Sequence, residues 1–194
     1  MTPAPRLILA STSPYRRALL ERLGMAFEVL APQVPEDRIA GEPPAERALR
    51  LALAKARAVA ARHPDAVVIG SDQVACAGTT ILGKPGSAER CREQLALLSG
   101  HSAQFFTACA VIATPHCAQT HLDTTTVVFR TLRAAEISRY VEHELPFDCA
   151  GGFKAEGLGV ALFERITSED PTALIGLPLI WLAQALRNAG RELP

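Results

Sequence analysis

Three short stretches of this sequence carry residue types able to bind phosphate and to move a proton. Ser11-Thr12-Ser13-Pro14-Tyr15-Arg16-Arg17 gathers hydroxyls and two guanidiniums where a helix should begin. Free backbone N–H groups at a helix N-terminus favour an anion, and guanidinium forks match phosphate oxygens, so the stretch suits a phosphate group. A capped helix with exposed arginines would read the same way, and spacing alone leaves both readings open. Gly70-Ser71-Asp72-Gln73 follows the apolar run Ala66–Ile69. A carboxylate at the carboxyl end of a strand stands where open α/β sheets bind ligands, and it can hold magnesium and deprotonate a water. The plainer alternative is an Asp that only closes the turn. Gly83-Lys84-Pro85 offers one more cation. Gly78–Lys84 fits the start of the phosphate-loop pattern GxxxxGK[ST], but Pro85 has neither the hydroxyl for magnesium nor an N–H for phosphate. The phosphate-loop reading is rejected, and Lys84 remains as a single phosphate contact stiffened by the proline after it.

These residues need elements to position them. Leu7–Ala10 reads as a strand, Ser13 as an N-cap, Pro14 as the first helical residue and Gly24 as the residue past the helix end. A second strand is expected over Phe27–Leu30, then a loop rich in Pro and acid (Pro32–Pro43), then a long helix from Pro44 to about His63. Within that helix Lys55 is, by default, a solvated surface lysine, and Glu36 and Asp37 on the loop are exposed. Ala66–Ile69 is short enough for a buried strand, Gly78-Thr79-Thr80 reads as a hairpin turn, and a helix runs from Ser87 to Leu98 before Gly100. Strands near Phe105–Thr114 and Thr124–Arg130 precede a helix over Ala134–Glu144. A Gly-rich loop from Cys149 to Gly159 should lead into a strand over Val160–Ile166. Asp170-Pro171 is another cap-plus-proline start, and Pro178 opens or kinks a last helix ended by Gly190. The order predicts an α/β fold, a mixed twisted sheet with flanking helices, forming one domain over residues 1–194 with two lobes around a cleft.

Composition narrows the partners. Lys plus Arg and Asp plus Glu each total 20, which leaves no electrostatic footprint for a nucleic acid polymer or an anionic membrane. Any anionic partner is therefore small and held by a local cluster. At 194 residues the chain buries roughly 70% of its unfolded surface and needs no metal or disulfide staple. The five cysteines (Cys76, Cys91, Cys109, Cys117, Cys149) include no CxxC pair and are expected to be buried free thiols. The apolar run of MTPAPRLILAS is too short for a signal peptide and no stretch reaches membrane-spanning length, so the expected place is the cytoplasm. No GxGxxG opens a helix, and neither HExxH nor GxSxG occurs.

Taken in order, several segments together resemble the Maf family of nucleotide pyrophosphatases along nearly the whole chain. They are SxSPYRR at Ser11–Arg17, the acidic loop at Glu36, LALAKA around Lys55, IGSDQV at Ile69–Val74, GKP at Gly83–Pro85, CAGGFKAEGLG at Cys149–Gly159 and DPTALIGLPL at Asp170–Leu179. The resemblance implies a Maf/ITPase-like fold and hydrolysis of a nucleoside triphosphate between its α and β phosphates, aided by a divalent cation, Mg2+ or Mn2+. It implies Asp72 as proton acceptor and metal ligand, Glu36 as metal ligand, Lys55 and Lys84 as catalytic cations, and Ser11, Ser13, Arg16 and Arg17 as substrate-binding residues. It also implies a homodimer. The family often has Asp-Glu on the acidic loop, whereas Pro35 precedes Glu36 here, and Asp37 is a substitute ligand. Tyr15, Gln73 and Glu156 resemble the branch that acts on 7-methyl-GTP, where the dTTP/UTP branch has Arg, Thr and Gln. Methylated guanine is cationic, so a carboxylate at Glu156 attracts it more than an amide would. An aromatic face at Tyr15 would add roughly 0.5–2 kcal/mol of cation–π attraction. The alternatives are a dTTP/UTP pyrophosphatase and a non-catalytic nucleotide-binding regulator of cell division.

Overall fold

A computed structural model describes residues 5–114 and 117–194, without the side chains of Thr114 and Cys117. The Cys117 thiol and the first four residues of the N-terminal stretch considered above thus lie outside the described residues. The strands are β1 (Leu7–Ala10), β2 (Glu28–Val29), β3 (Val67–Ala77), β4 (Thr80–Leu82), β5 (Ser102–Thr114), β6 (Cys117–Phe129) and β7 (Phe163–Thr167). The helices are α1 (Pro14–Glu21), α2 (Pro44–Ala60), α3 (Ala88–Leu98), α4 (Ala134–Glu144) and α5 (Leu179–Asn188), with short 3-10 turns at Leu158–Leu162 and Ala173–Ile175. The sheet is mixed, as its composition of alternating strand and helix segments predicts. Its order is β2-β1-β3-β5-β6-β7 with β4 on β3. β1 pairs parallel with β2 and β3, while β3·β4 and β6·β7 are antiparallel.

The chain divides into two compact units, and β3, β5 and β6 each contribute residues to both. The first comprises Met1–Gln73, Thr107–Asp123 and Asp170–Pro194. Its core joins Leu7 and Leu9 of β1, Leu19 and Leu20 of α1, Val67 and Ile69 of β3, Cys109 and Val111 of β5, and Leu182 and Leu186 of α5. Removing those side chains from water drives this unit together. The second unit comprises Val74–Phe106 and Thr124–Glu169. Phe153 is its hub, packed edge-on against Phe105, Phe129 and Phe163 with ring centroids 5.3, 5.5 and 5.0 Å away. Edge-to-face rings are the favoured aromatic arrangement.

Most sequence signals sit where expected. Ser13 caps α1 with Pro14 behind it, Ser87 caps α3, and Gly78, at φ +56°, turns the tight β3–β4 hairpin. Four expectations need correcting. Residues 158–162 form a 3-10 turn rather than strand, because Gly159 must pass against the Lys154 backbone, where a Cβ would lie 2.2 Å from its carbonyl oxygen. β3, β5 and β6 are longer than the apolar runs that announced them, since ladder pairing carries polar residues such as Gln73, Gln104, Gln119 and His121 into strand, and Asp72 therefore stands inside β3 rather than at its end. Cys149 is half-buried rather than buried, and Lys55 is buried rather than solvated. Among the described residues, no helix is long and apolar enough to cross a membrane.

One close approach sets the geometry that matters for function. A Cβ on Gly70 would lie 2.3 Å from Ala52 O and 2.6 Å from Ala56 N, so the α2 backbone rests directly on β3. Gly70→Ala should therefore cost about 2–3 kcal/mol or more in urea denaturation, because neither backbone can yield without displacing the core. A loss below about 0.5 kcal/mol would contradict this contact.

Candidate active site

Gly70 and Asp72 lie two apart on β3 and so point to one face, while Ala52, Lys55 and Ala56 share one face of α2. With the backbones pressed together at Gly70, Lys55 reaches Asp72. Its Nζ is 2.6 Å from Asp72 Oδ1 and 2.7 Å from Glu36 Oε1. Lys55 and Asp72 are only 6% and 7% exposed, whereas the Glu36 side chain is 55% exposed. A buried ammonium thus bridges one buried carboxylate and one open to water. The acidic loop that brings Glu36 is held to α2 by its arginines. Arg47 donates to Glu36 O (3.1 Å) and Arg50 to Asp37 O (3.2 Å), and Arg50 also grips Glu42 through both carboxylate oxygens. That grip holds the Glu42 carboxyl below the usual carboxylate range. The sequence reading of Glu36 and Asp37 as exposed stands for their side chains, yet the loop beneath them is anchored.

The parallel β1·β3 register pairs Ala10, the last residue of β1, with Gly70 inside β3, so β1 ends while β3 runs on to Ala77. Ser11–Arg17 therefore starts beside Ser71–Gln73. Ser11 is buried and its Oγ accepts from Ser13 N (3.1 Å), while Ser13 Oγ accepts from Arg16 N (3.4 Å) as the α1 cap. Arg16 is half-buried, and withdrawal from water lowers its guanidinium pKa from the ordinary value. The fields of Asp72 and Glu36 oppose that shift, so both carboxylates of the cluster act on Arg16. Buried Cys109 has its thiol pushed up to about 12 by the same loss of solvent and stays protonated. Tyr15 is half-buried on the first turn of α1.

Not every predicted residue joins this group. Arg17 turns outward and pairs with Glu21 (3.0 Å) on the exposed side of α1, one helical turn on. The two guanidiniums expected to converge are therefore one. The Gln73 amide donates to Ala173 O (3.2 Å), Leu174 O (3.0 Å) and Thr107 Oγ1 (2.8 Å), which binds it to the turn before α5. Lys84 and Glu156 belong to the second unit. Lys84 is exposed beside the buried ring of Pro85, and Gly83 O accepts from Gln94 (3.1 Å). Glu156 is exposed on a loop tied at both ends to α4. Lys154 N donates to Tyr140 Oη (3.0 Å) and Leu158 N to Glu144 Oε2 (2.9 Å).

The sequence reading missed what Asp170-Pro171-Thr172 does. It is no simple helix start. Asp170 is buried and accepts from Thr172 N (2.8 Å) and, at its other oxygen, from Ile180 N (2.7 Å). Thr172 Oγ1 accepts from Leu179 N (2.9 Å). Together they cap α5, whose own N-cap is Pro178 and offers no side-chain oxygen. The Asp and Thr were visible as capping types, but their partners lay ten and seven residues further on.

A mixed α/β sheet with a buried charge cluster on β3, where β1 ends beside it, is the architecture of this chain. The same fold occurs in the Staphylococcus aureus Ham1 protein (TM-score 0.52, 16% identity, 96% of this chain and 100% of that one). It occurs also in a HAM1 protein from Coxiella burnetii (TM-score 0.53, 18% identity, 95% and 99%). The chain belongs to the Maf-like protein family, whose profile matches residues 6–189. It is 54% identical over 191 residues to the 7-methyl-GTP pyrophosphatase of Xanthomonas axonopodis pv. citri, covering 98% of this chain and 100% of that protein. It is 52% identical over 190 residues to the 7-methyl-GTP pyrophosphatase of Cupriavidus pinatubonensis, covering 97% and 96%.

The buried part of the charge cluster yields a stability test. Lys55→Met leaves Asp72 in place without its cation, and should cost about 3–5 kcal/mol in chemical denaturation at neutral pH. Adding Asp72→Asn to that variant should restore part of the loss, since an amide is cheaper to bury than an unpaired charge. Equal stability of the single and double variants would show that the pair carries no such coupling.

Proposed function

We propose that this protein hydrolyses 7-methyl-GTP to 7-methyl-GMP and pyrophosphate, and so removes a modified nucleotide before it enters a polymer. The observation that supports it most is the Asp72–Lys55–Glu36 cluster on β3 beside the end of β1, with Arg16 within its field. The names of close relatives supply the substrate. In the reaction a water attacks the α-phosphorus, the bond to the bridging oxygen of the β-phosphate breaks, and pyrophosphate leaves. Asp72 takes the proton of the water. Lys55 and Arg16 hold negative charge on the phosphates, and the α1 N-terminus with Ser11 and Ser13 orients them. Charge stabilisation by fixed groups is the main contribution a protein makes to phosphoryl transfer.

The donor set fits a magnesium or manganese ion. Asp72 and Glu36 present hard carboxylate oxygens around one ammonium, and Glu36 is open to water. Among the described residues no group of three or more His, Cys, Asp or Glu could hold a metal. That suits an ion bound through one or two carboxylates together with substrate phosphates. Asp72 and Glu36 would hold it, and it would supply Lewis acidity toward the phosphate oxygens. Pro35 offers no ligand, and Asp37 stands next to Glu36 as the second acid of the loop.

The resemblance to the family assigns Lys84 to the phosphates and Tyr15, Gln73 and Glu156 to base selection. We read the protein as a cytoplasmic one with 1–194 acting as one catalytic domain, and the resemblance implies a homodimer. Sedimentation at micromolar concentration tests the dimer.

A panel of canonical and methylated triphosphates, with pyrophosphate and orthophosphate assayed separately, tests the reaction. We expect 7-methyl-GTP to be turned over fastest, with pyrophosphate as product. Asp72→Asn should lower kcat by about a thousandfold or more while the chain stays folded, since Lys55 keeps Glu36 as a partner. Glu156→Gln should cut the preference for 7-methyl-GTP over GTP about tenfold. Preferred turnover of dTTP or UTP would move the protein to the pyrimidine branch. Nucleotide binding without pyrophosphate release would make it a regulator.

A further inference from the structure

The Asp72 cluster occupies one face of β3, and the residues either side of Asp72 use the opposite face for a single purpose. Ser71, fully buried, donates its hydroxyl to Gly176 O (2.8 Å). Gln73 holds Ala173 O and Leu174 O, and Thr107 Oγ1 donates to Ala173 O (2.9 Å). Three carbonyls of the turn before α5 are thus gripped by groups that flank or neighbour the reacting carboxylate. From the other side, Arg16 Nε donates to the same Gly176 O (3.1 Å). A carbonyl oxygen has two lone pairs, and here both are used.

Gly176 is suited to this position and a residue with a side chain is not. Its φ of +131° is strained for any residue with a Cβ, and a Cβ there would lie 3.3 Å from both Cγ and Nε of Arg16. The turn cannot drift either, because Asp170 and Thr172 tie it to the start of α5.

We propose that Gly176 and Ser71 are positioning residues for Arg16: the Gly176 carbonyl fixes the Nε end of the guanidinium at a set place beside the Ser71–Asp72 segment of β3, so that its two terminal nitrogens are aimed at the phosphates. This rests on the reading of Arg16 as a phosphate ligand. The bridge Arg16–Gly176–Ser71 links the α1 N-terminus to the residue adjoining Asp72 and thereby sets the span between cation and proton acceptor. An arginine is a planar fork, and its orientation matters as much as its charge. Misplacement of about 1 Å in such a contact costs up to about a hundredfold in rate.

A double-mutant cycle tests it. Gly176→Ala and Ser71→Ala are each made in the wild-type protein and in an Arg16→Ala background, and kcat and KM are measured on the triphosphate turned over fastest. In the wild-type background Gly176→Ala should lower kcat about tenfold or more with KM changed less than about threefold, and Ser71→Ala should act in the same direction. In the Arg16→Ala background both effects should shrink to less than about twofold. Thermal melts accompany each variant, and if Gly176→Ala does not fold, the Ser71→Ala cycle decides alone. Full losses that persist without Arg16, or no loss in the wild-type background, overturn the positioning role while leaving the phosphate role intact. An Arg16→Ala protein with unchanged kcat/KM overturns the phosphate role itself, and the positioning role with it.

Discussion

A lysine ammonium with little access to water, held between two carboxylates, is the interaction on which the rest of this protein's site depends. Taking Lys55 and Asp72 out of water costs several kcal/mol per ion, and their attraction offsets that cost only at close range. The 2.6 Å contact exists because α2 lies on β3 without an intervening side chain, and this in turn requires Gly70. A fold optimised only for stability would fill these positions with apolar groups. Retaining a charged pair there makes sense if the ammonium exchanges a carboxylate for a phosphate when substrate arrives. Glu36 is the partner easiest to exchange, since more than half of its side chain faces solvent while its backbone is stapled by Arg47 and Arg50.

The middle of β3 divides its labour by the alternation of side chains. Asp72 points to α2 and its lysine, whereas Ser71 and Gln73 point to the turn that precedes α5. A one-residue slip of β3 would exchange these faces, burying the acid against carbonyls and leaving Lys55 without a counter-charge. Four parallel register pairs with β1, from Leu7↔Val67 to Ala10↔Gly70, prevent that slip. The same register sets the Ser11–Arg17 stretch beside the acid, so one ladder determines both the orientation of Asp72 and the place of the helix N-terminus.

The second unit is organised by aromatic packing rather than by charge. Phe153 anchors the glycine-rich segment to Phe105, Phe129 and Phe163, and Gly151 and Gly152, both at positive φ, allow the chain to turn tightly around that ring. Polar ties from Tyr140 and Glu144 then hold the segment on either side of Glu156. The backbone on either side of this exposed carboxylate is thereby held to α4.

Much was legible in the chain itself. Caps and breakers such as Ser13-Pro14, Ser87 and Gly78-Thr79 act over a few residues, so their local chemistry places α1, α3 and the hairpin without reference to the rest. The residue types of Ser11, Arg16 and Asp72 were likewise readable, because phosphate and proton chemistry restrict the choice. Burial and pairing were not. Lys55 read as a solvated lysine until the approach at Gly70 enclosed it, Arg17 read as a second phosphate ligand until helix geometry turned it to Glu21, and Asp170 read as the start of a helix whose cap it completes from ten residues away. Local sequence determines backbone turns through energies between near neighbours. Which charges meet depends on contacts between residues far apart in the chain, and those are decided only when β3, α1 and α2 pack together.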